Sequence, residues 1–137
     1  MADLSVTAAN VGVKASSTKV VVVQVGESVT QGQPGYKKAS DSKYYKADAN
    51  ASLEASKATG VFMSAASTDG YAIFATLGAI NLGATLTVGE TYFVSGTAGG
   101  IAPAADVATG WYPRLLGQAT SSSELYLEPS GGTVARA

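Results

Sequence analysis

Hydrophobic and polar positions in this chain fall into short runs, many of them alternating and most closed by glycine, aspartate, asparagine or serine. Leu4–Val13 (LSVTAANVGV) alternates apolar with small polar residues and reads as an extended arm. Lys19–Val25 (KVVVVQV) is a continuous β-branched run, which predicts one strand buried on both faces. Gly26-Glu27 turns the chain into Ser28–Gln31, and Gln33-Pro34-Gly35 reads as a second turn, with proline supplying its fixed φ. From Gly60 onward the signals become regular. Gly60–Ala66 and Tyr71–Leu77 flank a connection ending in Asp69-Gly70, and Ile80–Leu82 follows. Thr85–Val88 and Thr91–Ser95 predict two short strands joined at Gly89-Glu90, and the small-residue loop Thr97-Ala98-Gly99-Gly100 comes next. Arg114–Thr120 and Glu124–Leu127 form a last pair around three serines.

Strands about every ten residues, with turn chemistry between them, predict an all-β fold: a small antiparallel β-sandwich or barrel. One short helix is expected in Asp48–Thr59, capped by Asp48 or Asn50 and stopped by Gly60, with a loop as the alternative. Leu53, with Ala49 or Ser56, is expected to face inward. The organisation is an extended N-terminal arm over residues 1–13, a single β-rich domain over 14–131 and a flexible tail over 132–137. No exact internal repeat is present, which argues against a solenoid or propeller.

Composition narrows the function. The charged fraction is 14% and the net charge −1, against about 25% charged residues in an ordinary soluble protein. Weak self-repulsion suits a surface packed against other protein. Seven of the nine basic residues (Lys14, Lys19, Lys37, Lys38, Lys43, Lys46 and Lys57) precede position 58, so a wet and a docked surface are expected. The chain has no cysteine and no histidine, which excludes disulfides, thiolate metal sites and a Ser-His-Asp triad. No run approaches the roughly 18 apolar residues of a membrane span. The start, Met1-Ala2-Asp3-Leu4, lacks the pattern of a signal peptide, and the expectation is a protein not exported by a standard route.

Candidate chemistry is sparse. Asp41, Asp48, Asp69, Glu90 and Asp106 sit mostly in predicted turns, where aspartate serves local hydrogen bonding rather than paired acid–base work. Gly96–Gly100 lacks the lysine and the following helix of a phosphate loop. It reads as a loop that lets two backbones approach closely. Tyr36–Lys46 interleaves four lysines with three tyrosines and is the best nucleic-acid candidate. A pI near 5.2 opposes that reading, and a lysine-guarded edge strand is the alternative. Trp111-Tyr112-Pro113 reads as a core plug or an oligomer contact. The expectation is no catalytic residue, no cofactor, no metal, no nucleic acid and no membrane.

Tyr45-Lys46-Ala47-Asp48, Thr59-Gly60-Val61 and the tract GATLTVGETYFVSGTAGGIAPAADVATGWYPRLLGQATSSSELYLEPSG together resemble the head-decoration (cement) proteins of tailed bacteriophages, over roughly residues 43–131. The resemblance implies a structural virion protein on the outer capsid surface, made in the bacterial host cytoplasm. It implies clamping of neighbouring major capsid protein subunits against DNA pressure, as a homo-oligomer (trimer favoured, dimer possible). No catalytic residue carries over. A phage fibre or tail module that binds a host surface receptor is the alternative. On this reading Asp3, Leu4, Val6, Ala8 and Val11 are expected to contact the capsid, the arm adding a strand to a capsid sheet. Thr97, Gly99, Gly100, Ile101, Trp111 and Tyr112 are expected in oligomer or capsid packing. Removing residues 2–11 is expected to abolish capsid binding and leave the fold intact.

Overall fold

The computed structural model describes residues 3–13 and 17–137. The chain is mostly β, a single antiparallel sheet curled into a half-barrel with one short α-helix. Its strands are β1 (Val11–Val13), β2 (Lys19–Gln24), β3 (Pro34–Lys37), β4 (Tyr44–Lys46), β5 (Gly60–Phe62), β6 (Tyr71–Leu82), β7 (Thr91–Val94), β8 (Ile101–Pro103), β9 (Leu115–Ala119) and β10 (Glu124–Ser130). In space they run β4-β3-β5-β6-β10-β9-β7-β8, with β1 and β2 also paired to β6. The N-terminal half of β6 lies between β2 and β5, and its C-terminal half between β1 and β10.

Two apolar clusters fill the curl. The larger gathers Ile80, Leu82, Val94, Ile101, Leu116, Leu125 and Leu127, all essentially without solvent contact. The smaller centres on Phe62 and Phe74, whose ring centroids are 5.0 Å apart, with Tyr44 a further 5.0 Å from Phe74. Such aromatic pairs add about 0.5–1.5 kcal/mol each beyond the area they bury. β6 belongs to both clusters because Phe74 enters the small one while Ala75 and Ile80 enter the large one.

The expected elements change where tertiary pairing overrides local pattern. Tyr71–Leu77 and Ile80–Leu82 are one strand, because Gly78 at φ +109° carries the ladder past Thr18 without ending it. Thr85–Val88 is not a strand: Leu86 donates its N–H to Ser122 and Gly89 to Ala119, so the segment hangs on the β9–β10 end of the sheet. Pro34-Gly35 is not a turn but the start of β3. The positive φ falls at Gly32 instead, at +88°. The helix α1 covers only Leu53–Ser56, and Ser52 caps it by accepting from Ala55 N–H at 3.0 Å. Asp48 holds a turn by accepting from Asn50 N–H. Ala49 and Ser56 are buried as expected, but Leu53 is 39% exposed.

The largest correction concerns β2. Val23 is buried, but Val20, Val21 and Val22 are 45%, 46% and 69% exposed. A strand with one neighbour at the rim of a curled sheet buries little of either face, whatever its composition. Lys14, counted with the basic half of the sequence, lies outside the described residues.

Close backbone approach explains why certain positions are glycine. A Cβ on Gly60 would stand 2.0 Å from the Ala75 carbonyl oxygen and 2.8 Å from the Phe74 ring. At Gly12 the same atom would meet nothing within 4 Å. Gly60→Ala is therefore expected to cost about 3 kcal/mol or more, because the β5–β6 pairing must part. Gly12→Ala is expected to stay within about 0.5 kcal/mol. Urea denaturation of both variants checks the contrast.

Candidate functional site

The arm is laid across its own sheet. Leu4 N–H donates to the Ile101 carbonyl at 2.8 Å, and Thr7 N–H donates to Gly83 at 2.7 Å. After a 3₁₀ turn at Ala8–Asn10, β1 pairs Val11 with Leu82. The arm thus bridges β8 and the far half of β6, across the mouth of the half-barrel. Asp3 accepts from the Ser95 hydroxyl at 2.7 Å. Leu4 packs on the large cluster. Val6 and Val11 lie so close to Gly32 that a Cβ there would stand 2.6 and 3.1 Å from their methyls. The residues expected to touch the capsid, Asp3, Leu4, Val6, Ala8 and Val11, are therefore the partly buried side of the arm in the isolated chain. Ser5, Thr7, Ala9 and Asn10 face outward.

Where the arm crosses β6 it leaves an open cleft of about 610 Å³ lined by Ser5, Thr7, Asn10, Asn81, Thr85 and Ser123, with backbone at Gly83 and Ala84. The lining is hydroxyls and amides with no charged group. It offers hydrogen bonds without a nucleophile–base pair.

The second expected set divides between core and rim. Ile101 is 1% exposed and belongs to the large cluster, so it packs within the chain rather than against another. The loop before it is held by Gly100 N–H to Thr97, Gly99 N–H to Ala47 and Thr97 N–H to the Ser95 hydroxyl. Gly99 has φ +78°, and Thr97 and Ala98 form its exposed tip. Trp111 lies on Gly96, where a Cβ would come within 2.6 Å of the indole, and packs against the large cluster while partly exposed. Tyr112 N–H donates to Ala49 at 2.9 Å. The C-terminal residues also return to this rim: Arg136 exchanges backbone hydrogen bonds with Gly110 and Trp111, and its guanidinium donates to the Val107 carbonyl. The arginine expected at the start of the last strand pair, Arg114, is half-buried, donating to Ala58 and Gly131 carbonyls.

Four lysines and three tyrosines meet on the β3–β4 hairpin. Tyr44 packs on Phe74, and the Tyr36 and Tyr45 rings stand 6.1 Å apart. Lys38 lies 5.0 Å above Tyr45, and Lys43 pairs with Asp69 at 2.7 Å. That pair is solvent-exposed and contributes little to stability. Asp41 anchors the hairpin loop by accepting from Lys43 N–H at 2.9 Å and from the Tyr45 hydroxyl. These bonds hold the Asp41 carboxyl below its ordinary range, the tyrosine bond first. The same bond to the Asp41 carboxylate pushes the Tyr45 phenol up to about 12.

Sequence reasoning missed one surface. Val22 stands opposite Ile73 on β6, and both are exposed, as is Tyr71 at 67%. The four-valine run was the available signal, and its hydrophobicity pointed to burial within the chain. Among the described residues no three His, Cys, Asp or Glu side chains are placed to hold a metal ion, and no helix is long and apolar enough to cross a membrane. In comparisons with known proteins, no family model matches the chain and no curated protein matches it.

The hairpin's titration has a definite sign. Tyr45 has a folded pKa above its ordinary 10.0, so its bond to Asp41 supports the fold fully below that pH. The support is lost as pH rises toward about 12. Asp41 has a lowered pKa, so its contribution is present above the ordinary carboxylate range and is lost as pH falls through the lowered value. Asp41→Asn is expected to return one tyrosine toward its ordinary titration, read from phenolate absorbance against the parent protein.

Proposed function

We propose that the protein is a structural virion component that binds the outer surface of a tailed-phage capsid and clamps neighbouring major capsid subunits. The observation that carries this reading is the strapped arm with its uncharged, hydrogen-bonding cleft. It offers an extended polar edge to a protein partner, and its surroundings carry little of the charge that would hold water against close approach. The resemblance over residues 43–131 supports a phage major capsid protein as the partner. Many copies, each contributing modestly, stabilise a shell through avidity.

The arm engages the partner through its outward residues, Ser5, Thr7, Asn10 and their cleft neighbours, while the inward residues keep it in place. Deleting residues 2–11 would also remove the Leu4–Ile101 and Thr7–Gly83 bonds and part of the cover over the large cluster, so binding and folding would fail together. Outward substitutions separate them. Thr7→Glu with Asn10→Glu is expected to lower occupancy on undecorated phage heads at least tenfold. Melting of the free protein is expected to stay within a few degrees of the parent's, since the double change sits on exposed side chains.

Cryo-electron microscopy of heads mixed with the parent protein is the direct test. Regular density at the symmetry axes, with heads that survive heating better, is the expected result. Bare heads beside well-folded protein would sink the capsid reading and favour a fibre or tail module that binds a host surface receptor.

A further inference from the structure

We propose that the free edge of β2 pairs with the same edge of a second copy, antiparallel about a two-fold axis through Val21. The inference concerns the protein in solution and does not depend on a capsid.

The direction of the backbone groups follows from the hydrogen bonds. Val25 N–H donates to Gly70 at 2.9 Å and its carbonyl accepts from Asp69 N–H at 2.8 Å, so both groups of Val25 face the β6 side. In an antiparallel ladder the two groups of a residue point the same way and successive residues alternate. Val23 and Val21 therefore also face β6. The phase of β6 agrees: Ile73 donates to the Ser64 hydroxyl and accepts from Met63 N–H on the opposite, β5, side. Val20 and Val22 are left with N–H and C=O aimed out of the sheet, and the same alternation turns Gln24 outward at the end where Tyr44 of β4 closes on Val25. Among the described residues β6 is the only strand paired with Lys19–Gln24.

A two-fold axis through Val21 sets Val20 of each copy opposite Val22 of the other. Each such pair exchanges both hydrogen bonds, so the outward groups of Val20 and Val22 on both copies find mates. A register centred one residue later would run into Tyr44, whose carbonyl accepts from Gly26 N–H just beyond the strand. Side chains agree with the backbone. Val20 and Val22 share the outer face with Ile73, and pairing joins two exposed patches into one apolar surface.

The self-complementary register points to a second copy as the occupant, and charge does not oppose it. The strand carries one charge, Lys19, and no carboxylate or proline. The two-fold places each Lys19 opposite Val23 of the other copy. The two ammonium-bearing residues are then separated by four strand positions, about 13 Å along the sheet and beyond the Debye length of about 8–10 Å. Nothing in the strand repels its own copy, and the usual guards of an edge strand are missing from its centre.

Sedimentation equilibrium of the full chain is expected to give a monomer–dimer equilibrium. Val22→Pro removes an N–H that the chain itself does not use. It is expected to weaken association about 30-fold or more through two lost inter-copy bonds, with unchanged far-ultraviolet circular dichroism. A second readout does not depend on that variant folding. The chain has no cysteine, and Val21 would face its own copy in a non-hydrogen-bonded pair, where Cα atoms lie about 4.5 Å apart. Val21→Cys is expected to give a disulfide-linked dimer under mild oxidation, whereas Val88→Cys at an exposed turn is not. A parent protein that stays monomeric at every concentration overturns the proposal, as it would if another protein's strand covers this edge. So does a trimer, or an assembly that Val22→Pro leaves unchanged and Val21→Cys does not cross-link.

Discussion

The fold depends on the double use of one strand. β6 runs for twelve residues and carries partners along both edges, two different ones on each side. It links the aromatic cluster, through Phe74, to the aliphatic cluster, through Ile80 and Leu82, and β5 beside it joins the two as well, with Phe62 in one and Val61 in the other. A twisted strand of that length cannot keep one face on one core, and Gly78 at φ +109° is where this strand is free to re-aim. Thr18 lies against that glycine and donates its hydroxyl to the Ala79 carbonyl at 2.8 Å, so the irregular point is tied rather than loose. Gly60 and Gly117 serve the same end elsewhere, since a Cβ on either would come 2.0 Å from a neighbouring strand's carbonyl.

The arm completes what β6 begins. A half-barrel exposes its core at the mouth, and a small chain rich in alanine has few large side chains with which to plug it. Leu4 fills part of that gap, while hydrogen bonds at Leu4 and Thr7 fix the arm to β8 and to the turn after β6. On the proposed function, contact with another protein falls to the polar, outward half of the arm, where hydrogen bonding rather than apolar burial sets the affinity.

Much of this architecture was legible from residues alone. Alternation and turn chemistry located β6, β7, β9 and β10 and the Asp69-Gly70 connection, because those features are local. Errors arose where distant partners decided the outcome. Thr85–Val88 has strand composition, but its bonds go to Ser122 and Ala119, which no local window contains. Pro34-Gly35 has turn composition, yet Gly35 is glycine because Phe62 would lie 2.6 Å from its Cβ. The candidate surfaces were less legible than the fold. Residues 3–11 were identified as a segment of interest, but which of them face outward is set by β8 and Gly83. The valine run of β2 was read correctly as a strand and incorrectly as core, since hydrophobicity does not say whether the covering partner lies in the same chain.

That ambiguity matters because the sheet treats its edges differently. β8 is covered by the arm through Leu4. β4 ends in Lys46 and follows Lys43, and its first residue, Tyr44, closes back onto Val25 through an isolated bridge. Both are recognised ways of preventing unwanted pairing. β2 between Lys19 and Gln24 has neither, and its composition is the opposite of protective: β-branched, uncharged at the centre and exposed. A protein with so little charge has weak electrostatic protection against association, so an unguarded apolar edge would promote aggregation unless one defined pairing satisfies it. Saturating the outward groups of Val20 and Val22 by a closed two-fold uses the unguarded centre of the edge on both copies, which turns a route to open-ended assembly into a finite one.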